Sequence, residues 1–306
     1  MTNSPIKQIL TPQDKKSVYE VDLHKKIYQM MGLESVDLSN IRPEKIDLKK
    51  NFWNLYIMII KINNVKHRFL VDTASQISLI KMKKNVILQE LQLDKRLKLN
   101  GFGKVTNLLK AVVVDDFKFG TNQAKNVLLF IKEENNMLFN MLRIDGILGW
   151  DLLSKIDFSI QEAENSFTIF DEEMAKKFQK IPSSHLFSSM IPIIFNSNKT
   201  RIVGIDLGAN KTWISEKSSI LVGNPLLTER KTYSIGVNGI NVDKKGILTE
   251  YELKLPNITQ NFKKLSISST EFVPNTKIDL MVGTEICKGK EVVFYNSKNK
   301  FFVNSK

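Results

Sequence analysis

The 306-residue sequence predicts a mainly β fold of two lobes related by pseudo-twofold symmetry, preceded by a helical N-terminal extension. Three observations predict it: an internal repeat, short apolar runs typical of strands in both copies, and a helix signal that lies outside the repeat. Because the chain exceeds the usual length of one domain, we divide it into an extension (1–45), a first lobe (46–175) and a second lobe (176–306).

The repeat consists of two blocks that share one offset. Residues 56–80 align without a gap with 190–214, so that Ile57 meets Ile191 and Asp72 meets Asp206. The block 143–160 aligns at the same offset with 277–294. Chance would rarely give two distant blocks a common offset, and we therefore expect a duplicated structural unit.

Both copies have the pattern of β-strands. The first has the apolar runs IMIIKI and FLV around the turn residues Asn63 and Asn64, and the second has PIIF and RIVGI around 196–199. Each strand pair leads directly into one aspartate. Further elements are predicted as strands at 78–82 and 212–215, strand pairs within 108–120 and 245–256, and short helices at 150–155 and 171–180.

The extension carries the helix signal. Thr11 can cap a helix that begins at Pro12, runs to Met31 and is stopped by Gly32. Two interpretations remain open for this segment. It packs outside the first lobe, or its lysines place it over an acidic cleft as an autoinhibitory segment.

Asp72 and Asp206 are the candidate catalytic residues. Each follows an apolar strand and precedes small residues that let the backbone approach a carboxylate closely. Two carboxylates about 3 Å apart do not both ionise, so they share a proton. One then serves as a base that activates water and the other as an acid that polarises a carbonyl group. This pair predicts peptide hydrolysis without a metal, a cofactor or a covalent intermediate.

The sequence around the first aspartate resembles the retropepsin-like and pepsin-like aspartic peptidases. The run FLVDTAS (69–75) is followed by GILG (146–149), and the second copy supplies DLGA (206–209) and MVG (281–283). The resemblance spans about residues 50–306 and implies a bilobal acid-protease-like fold with a peptide or protein substrate in the inter-lobe cleft. It also implies hairpin flaps over the cleft, at 100–110 and 235–246.

The resemblance has two departures, Ala74 where the family has glycine and Leu207 where it has a hydroxyl residue. We expect Thr73 to brace the two aspartate loops from one side only. We also expect the Ser75 hydroxyl to bond Asp72. The residues assigned to support of the active-site loops are Thr73, Ala74, Ser75, Leu207, Gly208 and Ala209.

Two functions follow from these residues. The first is an aspartic endopeptidase. The second is a catalytically inactive lobe pair that binds peptides or proteins in the same cleft, with Leu207 as the sign of lost activity. A rival resemblance, of GIDLGANKT (204–212) to the phosphate-binding turn of actin-like and Hsp70-like ATPases, lacks the further glycine-rich loops those enzymes need.

The composition of the chain limits the classes of binding partner that we expect. The net charge of +13 comes almost entirely from lysine, and no helix gathers a basic face with aromatics, so nucleic-acid binding is not expected. The three histidines are scattered and predict no metal site. No apolar run is long enough to span a membrane. We expect a monomer.

Cys287 is the single cysteine, so an internal disulfide is impossible, and we expect it to be a packed thiol. A chain without disulfides suits a reducing compartment such as the cytoplasm, or a bacterial periplasmic or exported protein whose signal has been removed.

Overall fold

The computed structural model describes residues 28–29, 32–81, 90–92, 98–101, 104–107, 110–132, 137–188, 190–220, 230–236, 239–268 and 278–305. It is mainly β with a few short helices, as predicted. In chain order the strands are β1 (Glu44–Asp47), β2 (Lys49–Lys50), β3 (Tyr56–Ile62), β4 (Val65–Val71), β5 (Leu79–Lys81), β6 (Glu90–Gln92), β7 (Lys98–Gly101), β8 (Lys104–Asn107), β9 (Lys110–Val114), β10 (Phe117–Phe119), β11 (Asn122–Ala124), β12 (Val127–Lys132), β13 (Gly146–Leu148), β14 (Phe158–Gln161), β15 (Ser166–Ile169), β16 (Ser184–His185), β17 (Phe187–Ser188), β18 (Pro192–Phe195), β19 (Ile202–Ile205), β20 (Trp213–Ser215), β21 (Arg230–Gly236), β22 (Gly239–Lys245), β23 (Ile247–Leu255), β24 (Ile258–Ser268), β25 (Leu280–Val282), β26 (Glu291–Tyr295) and β27 (Lys300–Asn304).

The helices are short and sit between strands. They are α1 (Met137–Leu142), α2 (Trp150–Leu153), α3 (Glu172–Ala175) and α4 (Glu216–Ile220), with 3₁₀ turns at Lys176–Phe178, Thr284–Cys287 and Asn296–Lys298. The helices predicted at 150–155 and 171–180 are confirmed by α2 and α3. Asp171 caps α3 by accepting the Met174 N–H.

Three larger sheets contain all of these strands except β7, β8, β21 and β22. The ten-stranded sheet has the order β11-β10-β3-β4-β13-β5-β12-β9-β6, with β2 paired to β3. The seven-stranded sheet has the order β17-β18-β19-β25-β20-β24-β23. Six neighbouring strands of the first sheet, β3-β4-β13-β5-β12-β9, therefore correspond one by one to six of the second, β18-β19-β25-β20-β24-β23. The third sheet, β1-β15-β14-β26-β27-β16, takes three strands from each half of the chain.

The central strands of the two larger sheets pair in the same register. Gly146 lies opposite Phe69 between β13 and β4, and Leu280 lies opposite Val203 between β25 and β19. Both pairs differ by the sequence offset of the repeat. Strand β4 precedes Asp72 and strand β19 precedes Asp206. In each sheet the end of this strand lies beside a parallel neighbour, β13 or β25.

The strands that pair with β4 and β19 on the other side, β3 and β18, do not keep that offset. Ile57 pairs with Leu70, whereas Gly204 pairs with Ile193 and not with Ile191. The gapless alignment is therefore wrong for this strand, because the second hairpin is two residues shorter. A shift of two residues keeps every side chain on its original face of the sheet, so the alternation of apolar residues did not reveal it.

The six-stranded sheet contributes an aromatic core. The Phe158 ring stacks on Phe167 and on Phe294, each with ring centroids 4.7 Å apart. All three side chains are fully buried. They belong to an apolar cluster that also includes Val71 and Ile205, the residues immediately before the two aspartates. The strands that carry the aspartates are therefore anchored in one continuous core.

The predicted flap segments form two separate hairpins. Strands β7 and β8 pair around residues 102–103, and β21 and β22 pair around 237–238. The turn residues of both hairpins lie outside the described residues. The strand prediction at 245–256 needs a correction, because β23 is one long strand that pairs with β24 across a turn at Pro256 and Asn257.

The predicted N-terminal helix falls outside the described residues except for Tyr28 and Gln29, which are helical. The Tyr28 hydroxyl donates to the Asn126 carbonyl oxygen at 2.6 Å and accepts the Leu128 N–H at 2.7 Å. Its ring is buried in an apolar cluster with Leu79. Tyr28 thus ties the extension to β12 of the first sheet.

The substitution Tyr28→Phe is expected to lower the free energy of unfolding by roughly 1–3 kcal/mol, because a buried carbonyl and a buried N–H lose their partner. Urea unfolding followed by circular dichroism measures this change. Tyr295→Phe, at a partly exposed tyrosine, is the matched control. An unchanged midpoint for Tyr28→Phe would contradict the anchoring role of this hydroxyl.

Candidate active site

The two aspartates occupy equivalent positions at strand ends. Asp72 follows β4, and its N–H donates to the Leu148 carbonyl oxygen at 3.0 Å. Asp206 follows β19, and its N–H donates to the Val282 carbonyl oxygen at 2.8 Å. In each case the parallel neighbour strand holds the residue that begins the loop. The sequence-predicted pair is thus positioned by the same local geometry on two sheets.

The two carboxyl groups are hydrogen-bonded to each other. Asp206 is only 9% exposed. The loop of the second copy also lies directly against Asp72, since a Cβ atom added to Gly208 would stand 2.3 Å from the Asp72 Cγ and 2.5 Å from both its oxygens. The two loops therefore meet at their carboxyl groups, and only glycine fits at position 208.

The environments of the two carboxyls differ. Asp72 Oδ1 accepts the N–H groups of Ala74 and Ser75, each at 3.0 Å. Asp206 Oδ1 accepts the Gly208 N–H at 2.8 Å, and the Ala209 N–H also acts to lower the pKa of Asp206. Burial raises the pKa of Asp72 to about 6, opposed by its two amide donors. Burial, and next the Asp72 charge, raise the pKa of Asp206 well above its ordinary value. Both shifts favour protonation of the pair at pH values where an isolated aspartate is ionised.

Thr73 joins the two loops. Its hydroxyl donates to the Ile205 carbonyl oxygen at 2.7 Å and accepts the Leu207 N–H at 3.0 Å. Thr73 and Leu207 are both fully buried. As predicted, the brace comes from the first copy, and Leu207 contributes its backbone N–H while its side chain packs in the core.

The prediction for the Ser75 side chain was wrong. Its hydroxyl donates to the Ile77 carbonyl oxygen at 2.8 Å, and it is the backbone N–H that reaches Asp72. The loop turns after Ser75 and brings the Ile77 carbonyl within reach, which removes the hydroxyl from the carboxylate. The Ser75 carbonyl accepts the Trp150 N–H, as the Ala209 carbonyl accepts that of Thr284.

A second set of hydrogen-bonded side chains lies beneath the two aspartate loops, and it was not predicted from the sequence. Ser78 and Asp151 bond to each other beneath the first loop, and Thr212 and Glu285 do so beneath the second. The repeat pairs hydroxyl with hydroxyl and acid with acid at these positions, and this was the available signal. By itself an acidic residue after the apolar-Gly run gives no indication of burial.

The described ranges contain no group of three or more His, Cys, Asp or Glu side chains arranged to hold a metal ion. No helix in them is long and apolar enough to cross a membrane. Cys287 is buried, and burial raises the pKa of its thiol to about 12, which agrees with the predicted packed thiol.

The substitution Asp206→Asn is expected to stabilise the fold at high pH. Because the pKa of Asp206 is raised on folding, the folded protein binds a proton that the unfolded chain releases near pH 4. The free energy of unfolding of the wild type therefore falls as pH rises from about 4 through the folded pKa. We expect the variant to melt about 2–6 °C above the wild type at pH 8, with the gap closing towards pH 4.

Differential scanning calorimetry across this pH range measures the gap. Asp47→Asn, which changes an exposed aspartate outside the two aspartate loops, is the control for the loss of a carboxyl group. A gap of the same size at pH 4 and pH 8 would show that Asp206 is not protonated in the folded protein.

Comparison with known proteins gives a family match for part of the first half of the chain. Residues 58–152 match a family model described as aspartyl protease. The match includes Asp72 and Gly149 and stops before Asp206. No curated protein is significantly similar to the chain. The matched part thus supports an aspartyl protease family and, with it, a hydrolase that acts on peptides.

Proposed function

We propose that the chain is an aspartic endopeptidase in which Asp72 and Asp206 activate water for attack on a peptide bond. One observation carries the proposal: the buried carboxyl of Asp206 and the half-buried carboxyl of Asp72 come from equivalent loops and bond to each other, and the loops are tied by one hydroxyl, that of Thr73. Paired carboxyls that share a proton suit general acid–base hydrolysis.

The roles of the two groups follow from their surroundings. Asp72, which accepts two amide N–H groups, is the base that takes a proton from the water. Asp206, whose pKa is raised by burial and by the Asp72 charge, holds the proton and donates it towards the carbonyl oxygen of the substrate. The water oxygen bonds to the carbonyl carbon and gives a gem-diol intermediate. The proton on Asp72 then passes to the peptide nitrogen as the C–N bond breaks, and the hydroxyl formed from the carbonyl oxygen returns its proton to Asp206.

The proposed pH dependence follows from the same pair. Activity rises with pH through about 6, where Asp72 loses its proton. It falls at the higher pH at which Asp206 loses the proton it must donate. We therefore expect an optimum near or above neutral pH.

The proposed architecture is a bilobal acid-protease-like fold, with the lobes 46–175 and 176–306 related by pseudo-twofold symmetry. It is supported by the matching strand order of the two larger sheets. It is supported as well by paired hydrogen bonds, such as the Asp145 N–H to the Arg68 carbonyl and the Asp279 N–H to the Ile202 carbonyl. We propose that a peptide or protein substrate lies in the cleft between the lobes, under the hairpins β7–β8 and β21–β22.

Leu207 favours a second candidate, a binder of peptides or proteins that lacks catalysis. With leucine here, the second loop returns no hydroxyl to the first. Because both aspartates come from one chain, either function is complete in a monomer.

Incubation with a chemically unfolded protein from pH 3 to 9, followed by labelling of new amino termini, tests the proposal. We expect cleavage by the wild type, and a loss of at least ~100-fold in both Asp72→Asn and Asp206→Asn. Asp47→Asn should cleave as the wild type does. If no form cleaves but the wild type retains a fluorescent peptide in anisotropy measurements, the second candidate replaces the first.

A further inference from the structure

We propose that Asp151 is a positioning residue whose carboxylate, through Ser78, fixes the loop that carries Asp72 and must be ionised for full activity. The inference rests on the proposed peptidase function and adds a third acidic group to it. Asp151 does not contact the dyad, and it acts through the backbone of residues 72–78.

Asp151 and Ser78 form a closed set of hydrogen bonds. Asp151 Oδ2 accepts the Ser78 N–H at 2.9 Å, and Oδ1 accepts the Ser78 hydroxyl at 2.7 Å. The same hydroxyl accepts the Gly149 N–H at 2.9 Å. Asp151 is 6% exposed and Ser78 is fully buried. Because Ser78 uses both its donors on one carboxylate, its hydroxyl keeps a lone pair directed at Gly149.

These bonds connect to both ends of the catalytic loop. The Asp72 N–H donates to the Leu148 carbonyl oxygen at 3.0 Å, and the Trp150 N–H donates to the Ser75 carbonyl oxygen at 2.7 Å. Residues 148–151 are thus bonded to the loop at positions 72, 75 and 78. Loss of the bonds at Ser78 removes the link between residues 149–151 and the end of the loop that leads into β5.

Close packing leaves little room for another arrangement. A Cβ atom added to Gly149 would stand 2.6 Å from the Ile77 carbonyl carbon and oxygen and 2.9 Å from Asp151 Oδ1. The backbone of residue 149 therefore lies against the loop and the carboxylate together. A displaced Ser78 would shift Gly149, and with it the Leu148 carbonyl that holds Asp72.

The protonation of Asp151 matters because of its burial. Burial raises the pKa of Asp151 to about 6, opposed by the Ser78 donors and by the charge of Lys155. Its charge in turn contributes to the raised pKa of buried Tyr28. A protonated carboxyl has one acceptor fewer for the Ser78 donors. Asp151 and Asp72 therefore become ionised in the same pH interval.

The second copy does not depend on a buried charge in this way. Glu285 is partly exposed and accepts the Thr212 N–H at 2.9 Å, and the Thr212 hydroxyl accepts the Gly283 N–H at 3.2 Å. The dependence on a buried carboxylate is therefore a property of the Asp72 side of the dyad.

The variant Asp151→Asn is expected to lower kcat by roughly 10–100-fold with little change in KM. Because Asp72 and Asp151 must both be ionised, the acid limb of log kcat/KM in the wild type should approach a slope of 2. In the variant the slope should fall to 1. Ser78→Thr, which copies Thr212, should keep the wild-type rate and slope, and Ser78→Ala should reproduce the defect of Asp151→Asn.

Asp157→Asn is the matched control. Asp157 accepts the N–H and the hydroxyl of Ser297 at 2.8 and 2.7 Å, with the same pair of contacts at an exposed site. It should keep the wild-type slope. Equal slopes in the wild type, Asp151→Asn and Asp157→Asn would overturn the inference.

Amide hydrogen exchange separates this inference from the proposed function. Protection of the Ser78 and Gly149 amides is expected to be lost between pH 7.5 and pH 5 in the wild type and to be weak at both values in Asp151→Asn. This holds even if the wild type cleaves nothing, which would remove the peptidase proposal alone. Wild-type protection in the variant would overturn the role of Asp151, and Ser78→Ala provides the same test if Asp151→Asn does not fold.

Discussion

Gly208→Ala is expected to reduce kcat to the residual level of Asp72→Asn, a loss of at least ~100-fold. The added methyl group would stand 2.3 Å from the Asp72 Cγ, well inside van der Waals contact. The neighbouring atoms have little freedom, because Asp72 Oδ1 is held by the Ala74 and Ser75 amides. The carboxyl groups must separate to admit the methyl, and the shared proton then loses its second partner.

Peptide cleavage assays together with the pH dependence of melting measure this effect. Ala74→Gly is the matched control, since it removes a methyl from the corresponding position of the first loop, and we expect it to keep the wild-type rate. Wild-type activity in Gly208→Ala would mean that Asp72 is free to move away, and that the close approach of the loops is not needed for catalysis.

Thr73→Val is expected to lower the free energy of unfolding by roughly 2–4 kcal/mol, because the Ile205 carbonyl and the Leu207 N–H both lose their buried partner. Valine keeps the shape of threonine, so the loss measures the hydroxyl. Since Leu207 offers no hydroxyl in return, this one group carries the side-chain brace described here. We expect kcat to fall by roughly 10–100-fold as the loops lose their alignment.

Urea unfolding and the cleavage assay measure the two effects on the same samples. Thr73→Ser retains the hydroxyl and should stay close to the wild type in both. Should Thr73→Val unfold at the wild-type urea concentration, the contact between the two loops is held by packing and not by the hydroxyl.

The amino-acid sequence was sufficient for the class of the fold and for the candidate dyad. The offset that places Asp72 on Asp206 also places Phe69 on Val203 and Gly146 on Leu280, and these residues pair in the same register in both sheets. Strand periodicity and the spacing of the repeat are properties of the sequence itself, so both could be recognised without the tertiary structure.

The hydrogen bonds around the dyad were not predictable in the same way. The Ser75 hydroxyl turns to Ile77 instead of Asp72, and the shorter second hairpin shifts β18 by two residues without altering its apolar pattern. Both depend on the path of a turn, and serine and the turn residues are compatible with several paths.

The sequence by itself determined that two acidic residues, separated by one repeat offset, each follow an apolar run with the pattern of a β-strand. Only the tertiary structure decided that Gly208 lies against the Asp72 carboxyl, that Thr73 alone supplies a side-chain brace among these described contacts, and that Asp151 is buried beneath the loop. The reason is physical: burial, and the pKa shifts it causes, arise from residues distant in the chain that packing brings together.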